Sequence, residues 1–206
     1  MTHEEAMNAL YIDFEGNKDK QPTLLGYCED EQHTVFLIED SFSILERPVR
    51  GFGSCKRTYV DSMDSALEAI CERAREEDRL IVSFSQHELN MFSKYSSDQT
   101  LLDEFRSAYR DGKAVLRHRT RNDPNRLMHR GRTLANYCAL YGLPEPSAPS
   151  RGLGQALRDL RKRLEKTTRW KGLHQRWRDL ATEVIAYNGE DCARLRDLVL
   201  LATDDG

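Results

Sequence analysis

The stretch "ALYIDFEGN", residues 9–17, places two carboxylates inside an otherwise apolar run. Side chains of an extended strand alternate between its two faces, so Asp13 and Glu15 share one face and the other face carries Leu10, Ile12 and Phe14. Two interpretations are open. The strand could lie at the surface with its carboxylates in water, or it could be buried with a bound cation that neutralises the two like charges. Carboxylate oxygens of this kind suit Mg²⁺ or Mn²⁺.

The neighbouring sequence predicts a sheet around this strand. Apolar runs separated by short polar links indicate strands at 8–15, 22–28 and 33–39, which predict an antiparallel meander. A helical repeat of apolar residues follows at 62–77, and the β-branched run at 79–84 indicates a buried strand. We therefore expect an α/β protein with a mixed sheet, in which parallel strands join the antiparallel meander.

The rest of the chain is predicted to be rich in helix. Two helical patterns run from Ser85 to Gly112, and the C-terminal half continues with helices at 133–142, about 153–168 and 173–202. The strongest cluster of helix-breaking residues, at 144–152, is interpreted as a surface loop because neither side looks complete alone. The sequence therefore predicts a single domain over residues 1–206.

A further acidic candidate lies in "SFSQHELNMF", residues 83–92, where a buried strand leads directly into a helix. Ser85 and Glu88 fit a capping box, in which the Glu88 side chain bonds back to the Ser85 backbone. On this stretch alone that interpretation is favoured over a metal-binding role for Glu88. His87 is interpreted as a packing or hydrogen-bonding residue.

The last candidate stretch is "AYNGEDCARLRDLV", residues 186–199. On a continuous helix Tyr187 and Asp191 stand four residues apart, on one face. The pair Asn188-Gly189 is also a turn signal, and it could end one helix and begin another. The helical register of apolar residues on both sides favours one long helix, straight or kinked.

Taken in order, these stretches resemble the DEDD exonuclease superfamily, which has the ribonuclease H-like fold. "IDFEG" resembles its Asp-x-Glu motif, and "YNGED" resembles the Tyr-x-x-x-Asp motif of the DEDDy branch. The likeness is greatest to bacterial predicted ribonuclease H-like nuclease domains, and it covers nearly the whole chain, including "RTLANYCALYGLP". Glu88 stands where these exonucleases usually have Asp, so Asp98 and Asp103 are kept as fallback candidates.

The resemblance implies a hydrolytic site with two ions of Mg²⁺ or Mn²⁺. Its metal ligands would be Asp13, Glu15, Glu88 and Asp191, with Asp13 shared by both ions. Tyr187 would orient the attacking water or help to deprotonate it. The implied activity is phosphodiester hydrolysis in single-stranded DNA or RNA, as a 3′–5′ exonuclease that releases products with a 5′-phosphate.

Charge is distributed unevenly along the chain. Residues 1–105 hold 22 acidic and 10 basic residues, whereas residues 106–206 hold 21 basic and 12 acidic ones. Most of the positive charge lies in 117–132 and 158–178, where arginine predominates, as suits phosphate contact. Each stretch could be an ordinary solvated helix face, but two together indicate a polyanionic partner. The candidate nucleic-acid contacts are Arg117, Arg119, Arg121, Arg130, Arg132, Arg161, Arg163 and Arg169.

Aromatic residues near these stretches have two possible roles. Trp170, Trp177 and Tyr141 could stack on bases, as aromatic side chains do in many single-strand binders. For the tryptophans, packing within the helical layer is the favoured interpretation.

Composition excludes several other classes of protein. No apolar run approaches the roughly 20 residues of a membrane helix. The acidic N-terminal segment lacks the features of a signal peptide, so we expect a cytoplasmic protein with no membrane association. The five cysteines are scattered without a CxxC pair, which argues against a disulfide framework or a structural zinc site.

Two other classes of function stay open. A non-catalytic nucleic-acid-binding module on the same fold would bind without metal and release no product. A structural adaptor would use the charged helices against an acidic protein. The four acidic candidates and the tyrosine favour the nuclease, because a binding module does not need all of them together.

Overall fold

β1, Leu10–Glu15, lies in the interior of a mixed sheet in the computed structural model, which describes residues 1–16, 21–30, 32–46, 55–120 and 133–204. Within these residues the sheet has six strands in the order β4-β3-β2-β1-β5-β6. The other five strands are β2 Leu24–Glu29, β3 Gln32–Leu37, β4 Lys56–Tyr59, β5 Ile81–Ser83 and β6 Tyr109–Asp111.

The strands pair in both directions. β1 pairs with β2 and β2 pairs with β3 in antiparallel register, which places Asp13 opposite Gly26 and Gly26 opposite Val35. β5 is parallel to β1, β6 is parallel to β5, and β4 is parallel to β3. The predicted α/β class and the antiparallel meander are therefore confirmed.

Helices lie on both sides of this sheet. The described ranges contain α1 His3–Met7, α2 Met63–Glu76, α3 His87–Tyr95, α4 Gln99–Ala108, α5 Gly112–Arg119, α6 Leu134–Tyr141, α7 Leu153–Leu164 and α8 Gln175–Thr203, with short 3-10 helices at Asp40–Leu45 and Trp170–Gly172. None of the helices in these ranges combines the length and the apolar character needed to cross a membrane.

One face of the sheet packs against α2, α3 and α4. The apolar face of β1 forms a single buried cluster with these helices, and Phe14 and Phe105 flank Phe92 with ring centroids 4.9 Å apart in each pair. This layer explains the apolar alternation of β1, because every second side chain must be removed from water.

The opposite face of the sheet is covered by α7 and α8. Tyr11 of β1 lies in a buried cluster with Leu195 and Val199 of α8. Nearer the start of α8, Val184 packs with Leu160 of α7 against the strands β2 and β3. Since Tyr11, Asp13 and Glu15 share one face of β1, both carboxylates point toward the α8 layer.

The predicted helix ending at Gly112 is wrong in its last turn. α4 ends at Ala108, and the next three residues form β6 beside β5. The Tyr109 ring stacks on Phe105, and its hydroxyl donates a hydrogen bond to the Ser85 carbonyl oxygen at 2.7 Å. These tertiary contacts override the local helical pattern.

α8 is one helix of 29 residues that runs through Asn188 and Gly189 without a break. The prediction of a single long helix is therefore confirmed. Because the helix is continuous, Tyr187 and Asp191 lie one turn apart on the same face of α8.

Candidate metal centre

Asp13 and Glu15 lie near the end of β1, beneath α8. Glu15 is 5 % exposed, and Asp13 is half-buried. The interpretation of β1 as a surface strand with its carboxylates in water is therefore wrong. Two like charges buried on one strand face are costly unless an opposite charge neutralises them.

α8 brings a third carboxylate to this pair. One oxygen atom each from Asp13, Glu15 and Asp191 lies within 4.8 Å of the other two. We call these three residues the acidic cluster. Carboxylate oxygens gathered so closely form a donor set that suits a hard divalent cation such as Mg²⁺ or Mn²⁺.

Burial raises the pKa of every member of the acidic cluster. It raises the pKa of Glu15 to about 8, with a further contribution from the charge of Asp191. The pKa of Asp13 lies well above its usual range because of burial and the neighbouring charges of Glu15 and Glu88. The pKa of Asp191 rises to about 6, again mainly through burial. The cluster therefore retains protons near neutral pH unless a cation replaces them.

Glu88 lies in the first turn of α3, beside the acidic cluster. Its side chain is 4 % exposed, and its charge raises the pKa of both Asp13 and Glu15. Burial raises the pKa of Glu88 to about 7, although hydrogen bonds from its own amide, Ser83 and the Phe14 amide favour the ionised form. Glu88 is thus a fourth buried carboxylate in the same region.

The capping-box interpretation of Glu88 is wrong. The N-cap of α3 is Gln86, so Glu88 is the second helical residue rather than the third, which a capping box requires. The Ser85 hydroxyl accepts a hydrogen bond from the His87 amide at 3.4 Å, and the His87 side chain is exposed. Glu88 interacts with the Phe14 amide of β1 instead.

Two buried oxygen atoms of this region have no hydrogen-bond partner within the described residues. They are Oε1 of Glu15 and Oε2 of Glu88. A buried carboxylate oxygen without a partner is destabilising, and native proteins rarely leave one unpaired. A divalent cation bound in the acidic cluster would neutralise Glu15, so the buried carboxylates present fit a metal ion.

Tyr187 stands one turn before Asp191 on α8 and is half-buried. Burial raises the pKa of its hydroxyl above the ordinary value, and the charges of Asp191 and Glu15 raise it further. A hydrogen bond from this hydroxyl favours the ionised form of Asp191. Tyr187 is therefore a protonated hydrogen-bond donor at neutral pH.

Asn188, which the sequence marks as part of a turn signal and of the stretch "YNGED", is a fully buried neighbour of the acidic cluster. Its amide nitrogen donates hydrogen bonds to the carbonyl oxygen and to Oδ2 of Asp13, both at 3.1 Å. Its Oδ1 lies 3.3 Å from Nε2 of His33, a β3 residue that the sequence did not single out. In the sequence, these contacts are indicated by the position of Asn188, a polar residue that stands where the helical spacing of α8 otherwise predicts an apolar one.

Two glycines allow α8 to approach the sheet this closely. A Cβ atom at Gly26 would lie 1.6 Å from Oδ1 of Asn188. A Cβ atom at Gly189 would lie 2.5 Å from Nδ1 of His33. Asn188-Gly189 thus serves packing against β2 and β3, which explains why this dipeptide does not break the helix.

The fallback candidates Asp98 and Asp103 have other, local partners. Asp98 caps α4 by accepting a hydrogen bond from the Leu101 amide at 3.0 Å. Asp103 is exposed and pairs with Arg106 at 2.7 Å. Neither is in the acidic cluster, so the arrangement does not support either as a substitute for Glu88.

The candidate nucleic-acid contacts fall near opposite ends of α8. Arg117 and Arg119 lie in the last turn of α5, which packs against the C-terminal part of α8. Arg163 lies in the last turn of α7 and Arg169 follows it, near the N-terminal part of α8. The remaining candidates Arg121, Arg130 and Arg132 lie outside the described residues.

Arg161 differs from these candidates because it is held by an internal ion pair. Its guanidinium contacts both carboxylate oxygens of Glu39 and donates to the Thr23 hydroxyl at 3.1 Å, and only 15 % of its side chain is exposed. This arrangement does not support the prediction that Arg161 contacts phosphate.

The tryptophans pack within the helical layer. Trp170 is 7 % exposed and lies in the apolar cluster formed with α7 and α8, and Trp177 packs against the same cluster. The Arg176 guanidinium lies 4.7 Å from the Trp177 ring centroid. Tyr141 also packs against a buried cluster, beside Leu198. The packing interpretation of the two tryptophans is therefore confirmed.

Comparison of the chain with protein-family models and with curated proteins gave no match. What the centre can do therefore follows from its own residues. These are the three carboxylates of the acidic cluster, the buried Glu88 beside them, and the hydroxyl of Tyr187 one helical turn from Asp191.

Proposed function

We propose that the protein is a divalent-metal-dependent nuclease of the ribonuclease H-like class, which hydrolyses phosphodiester bonds in single-stranded DNA or RNA. The observation that carries the proposal is the convergence of carboxylate oxygens from Asp13, Glu15 and Asp191 within 4.8 Å, beneath a helix. The order of the motifs along the chain resembles the DEDDy exonucleases, which implies 3′–5′ exonucleolytic cutting.

The arrangement of strands supports this fold class. The resemblance implies an antiparallel meander joined by parallel strands, and β1, β2 and β3 form such a meander beside the parallel β5 and β6. The resemblance also implies that the first strand and a late helix carry the metal ligands. β1 and α8 carry the acidic cluster.

A pair of Mg²⁺ or Mn²⁺ ions would be held by the acidic cluster together with Glu88. The unpaired oxygen atoms of Glu15 and Glu88 support this donor set. Bound there, the ions would act as Lewis acids on the phosphate and lower the pKa of the attacking water. Asp13 and Glu15, which retain protons near neutral pH, would lose them on metal binding, and all four carboxylates would act as anionic ligands.

Tyr187 would orient the reactants through its hydroxyl. Burial and the neighbouring carboxylates raise the pKa of the phenol, so in the metal-free protein it is a protonated hydrogen-bond donor. The bond to Asp191 holds the hydroxyl at the edge of the acidic cluster. We therefore propose the orienting role.

Basic residues would bring the polyanionic substrate to an acidic centre that repels it. Arg169 and its neighbours lie near one end of α8, and Arg119 lies near the other. Asp191 stands between them, 16 residues from Gln175 and 12 from Thr203. A strand that contacts either basic region would bind with an affinity that falls as salt increases.

The proposal is tested by digestion of single-stranded DNA and RNA labelled at the 5′ end, in Mg²⁺, in Mn²⁺ and in EDTA. We expect hydrolysis with either metal and none in EDTA. Asp13→Asn and Asp191→Asn are expected to lower the rate by at least about 100-fold, because each removes a charged ligand. The matched control is Asp103→Asn, which changes an exposed Asp outside the cluster and should keep the wild-type rate.

Equal rates for wild type and Asp13→Asn would contradict the proposal. Binding that survives EDTA, with no product from any substrate, would instead favour the non-catalytic nucleic-acid-binding module. A ladder of 5′-labelled products that requires a free 3′ end indicates a 3′–5′ exonuclease, whereas cleavage of a circular single strand, which has no ends, indicates an endonuclease.

A further inference from the structure

Asn188 lies in α8, three residues before Asp191, and its side chain has no solvent exposure. A fully buried carboxamide is tolerated only when its donors and its acceptor are paired. The partners of Asn188 include Asp13 and His33, which are 175 and 155 residues away in sequence. The carboxamide therefore joins α8 to β1 and β3.

Asn188 donates two hydrogen bonds to Asp13 of the acidic cluster, and its side chain also hydrogen-bonds the Glu15 carboxylate. Nδ2 lies 3.1 Å from the carbonyl oxygen of Asp13 and 3.1 Å from its Oδ2. One amide group thus holds the backbone and the carboxylate of Asp13 together. This contact restricts the rotation of the carboxylate relative to β1.

Asp13 fixes which way the amide of Asn188 faces, because its carbonyl oxygen can only accept a hydrogen bond, and His33 then pairs with the amide oxygen. Nε2 of His33 lies 3.3 Å from Oδ1 of Asn188, so Nε2 must carry the hydrogen. A rotated amide would point its NH₂ group at His33 and its oxygen at two oxygens of Asp13. The carbonyl oxygen of Asp13, which can only accept, would then face an oxygen atom and lose its hydrogen bond.

We propose that Asn188 is a positioning residue for Asp13, that His33 supports Asn188 by pairing with its amide oxygen, and that the pair holds the Asp13 carboxylate ready for a divalent cation. The inference rests on the proposed function, because it assigns Asp13 as a metal ligand. Outer partners that orient a ligand typically change metal affinity or activity by 10–100-fold when they are removed.

The test is titration of the full-length, metal-free protein with Mn²⁺, in which the electron paramagnetic resonance signal measures the remaining free Mn²⁺. Asn188→Ala is expected to weaken Mn²⁺ binding by about 10–100-fold. Asn188→Asp should weaken it at least as much, because it removes both donors and faces Asp13 with a carboxylate. His33→Ala is expected to give a smaller loss in the same direction.

Val184→Ala is the matched control for loss of packing. Val184 lies one turn before Asn188 on α8, is 1 % exposed and belongs to an apolar cluster that contains no carboxylate. We expect this variant to have a lower melting temperature than wild type but the wild-type Mn²⁺ affinity. A purely structural role for Asn188 would make Asn188→Ala behave in the same way.

Single-stranded DNA hydrolysis, measured on the same proteins, separates the two proposals. If Asn188→Ala binds Mn²⁺ weakly but wild type does not cut any substrate, the positioning role stands and the nuclease assignment fails. If wild type cuts and Asn188→Ala has wild-type Mn²⁺ affinity and turnover, the positioning role fails and the nuclease assignment stands. A wild type that binds no Mn²⁺ overturns both.

Discussion

Glu15 and Glu88 link the stability of the protein to pH, because both are almost fully buried carboxylates. The pKa of Glu15 rises from 4.5 to about 8, and the pKa of Glu88 rises to about 7. Between these values and their ordinary pKa the folded protein holds protons that the unfolded chain releases. Over that range the unfolding free energy must decrease as pH increases.

We therefore expect the ionisation of Glu15 and Glu88 to lower the unfolding free energy of the metal-free protein in EDTA from about pH 5 to about pH 8. Above pH 8 these two groups should change it little. Each pKa unit corresponds to about 1.4 kcal/mol, so the total loss amounts to several kcal/mol. Urea unfolding at constant ionic strength measures it. Mn²⁺, which favours the ionised carboxylates, should raise the melting temperature more at pH 8 than at pH 6.

Glu15→Gln should remove much of this pH dependence. The variant is expected to be more stable than wild type at pH 8 in EDTA while losing metal-dependent activity. Asp103→Asn, at an exposed position, should keep the wild-type slope. A wild-type stability that is constant from pH 5 to pH 8 would contradict the burial of unneutralised carboxylates.

At the residue scale, the sequence predicted the positions whose partners follow from local geometry. Alternation along β1 placed Asp13 and Glu15 on one face, and helical spacing aligned Tyr187 with Asp191. The role of Glu88 could not be predicted from its neighbours in sequence, because Ser85-Gln-His-Glu88 fits both a capping box and a buried carboxylate at the start of a helix. The role of Asn188 was not predictable because its partners lie 155 and 175 residues away.

At the scale of elements, the site depends on the close contact between α8 and β2. Gly26→Ala would place a Cβ atom 1.6 Å from Oδ1 of Asn188, so α8 or the Asn188 side chain must move. We expect a loss of roughly 1–3 kcal/mol in unfolding free energy from this overpacking. We also expect weaker Mn²⁺ binding, since Asn188 holds Asp13.

Gly154→Ala is the matched control for the added methyl group. Gly154 lies in α7, where a Cβ atom would be 3.6 Å from the nearest side-chain atom, an ordinary contact. Alanine there should stabilise the helix by roughly 0.5–1 kcal/mol. Urea unfolding of both variants compares the two effects. If Gly26→Ala were as stable as wild type, the close contact would be wrong.

Among the elements that the sequence did not predict are the two short strands at the edges of the described sheet. β4 has four residues, most of them half-buried, and β6 has three. Such segments are too short to show an apolar alternation, and parallel pairing with strands distant in sequence stabilises them. The long α8 was predictable because apolar residues repeat with helical spacing along its whole length.

At the scale of the whole molecule, the basic surface near the start of α8 is the stronger candidate for the substrate path. Residues 151–178 hold 10 basic and 2 acidic residues. The exposed basic side chains among them are Arg151, Arg158, Lys162, Lys166, Arg169, Lys171 and Arg176. α8 rises about 1.5 Å per residue, so its first residue, Gln175, lies roughly 24 Å from Asp191 along the helix. A bound single strand would have to span several nucleotides between this surface and Asp191.

We expect the double variant Lys162→Glu/Arg169→Glu to bind single-stranded DNA about tenfold more weakly at low salt. The slope of log affinity against log salt should fall by about 0.7 for each phosphate that the variant no longer neutralises. Fluorescence anisotropy of labelled strands in EDTA measures both quantities.

Two comparisons make this measurement specific. Arg106→Glu changes an exposed side chain of α4, which packs on the opposite face of the sheet from α7 and α8, and should leave affinity unchanged. Arg117→Glu/Arg119→Glu reports on the opposite end of α8 and is expected to have the smaller effect. Wild-type affinity and salt slope in Lys162→Glu/Arg169→Glu would exclude this surface from the substrate path.

The most direct test of the metal centre is the anomalous diffraction of crystals soaked in Mn²⁺. We predict Mn²⁺ peaks coordinated by carboxylate oxygens of Asp13, Glu15 and Asp191, with Glu88 bound directly or through water. At saturating Mn²⁺, a map with no peak among these carboxylates would contradict the assignment of a metal-dependent site.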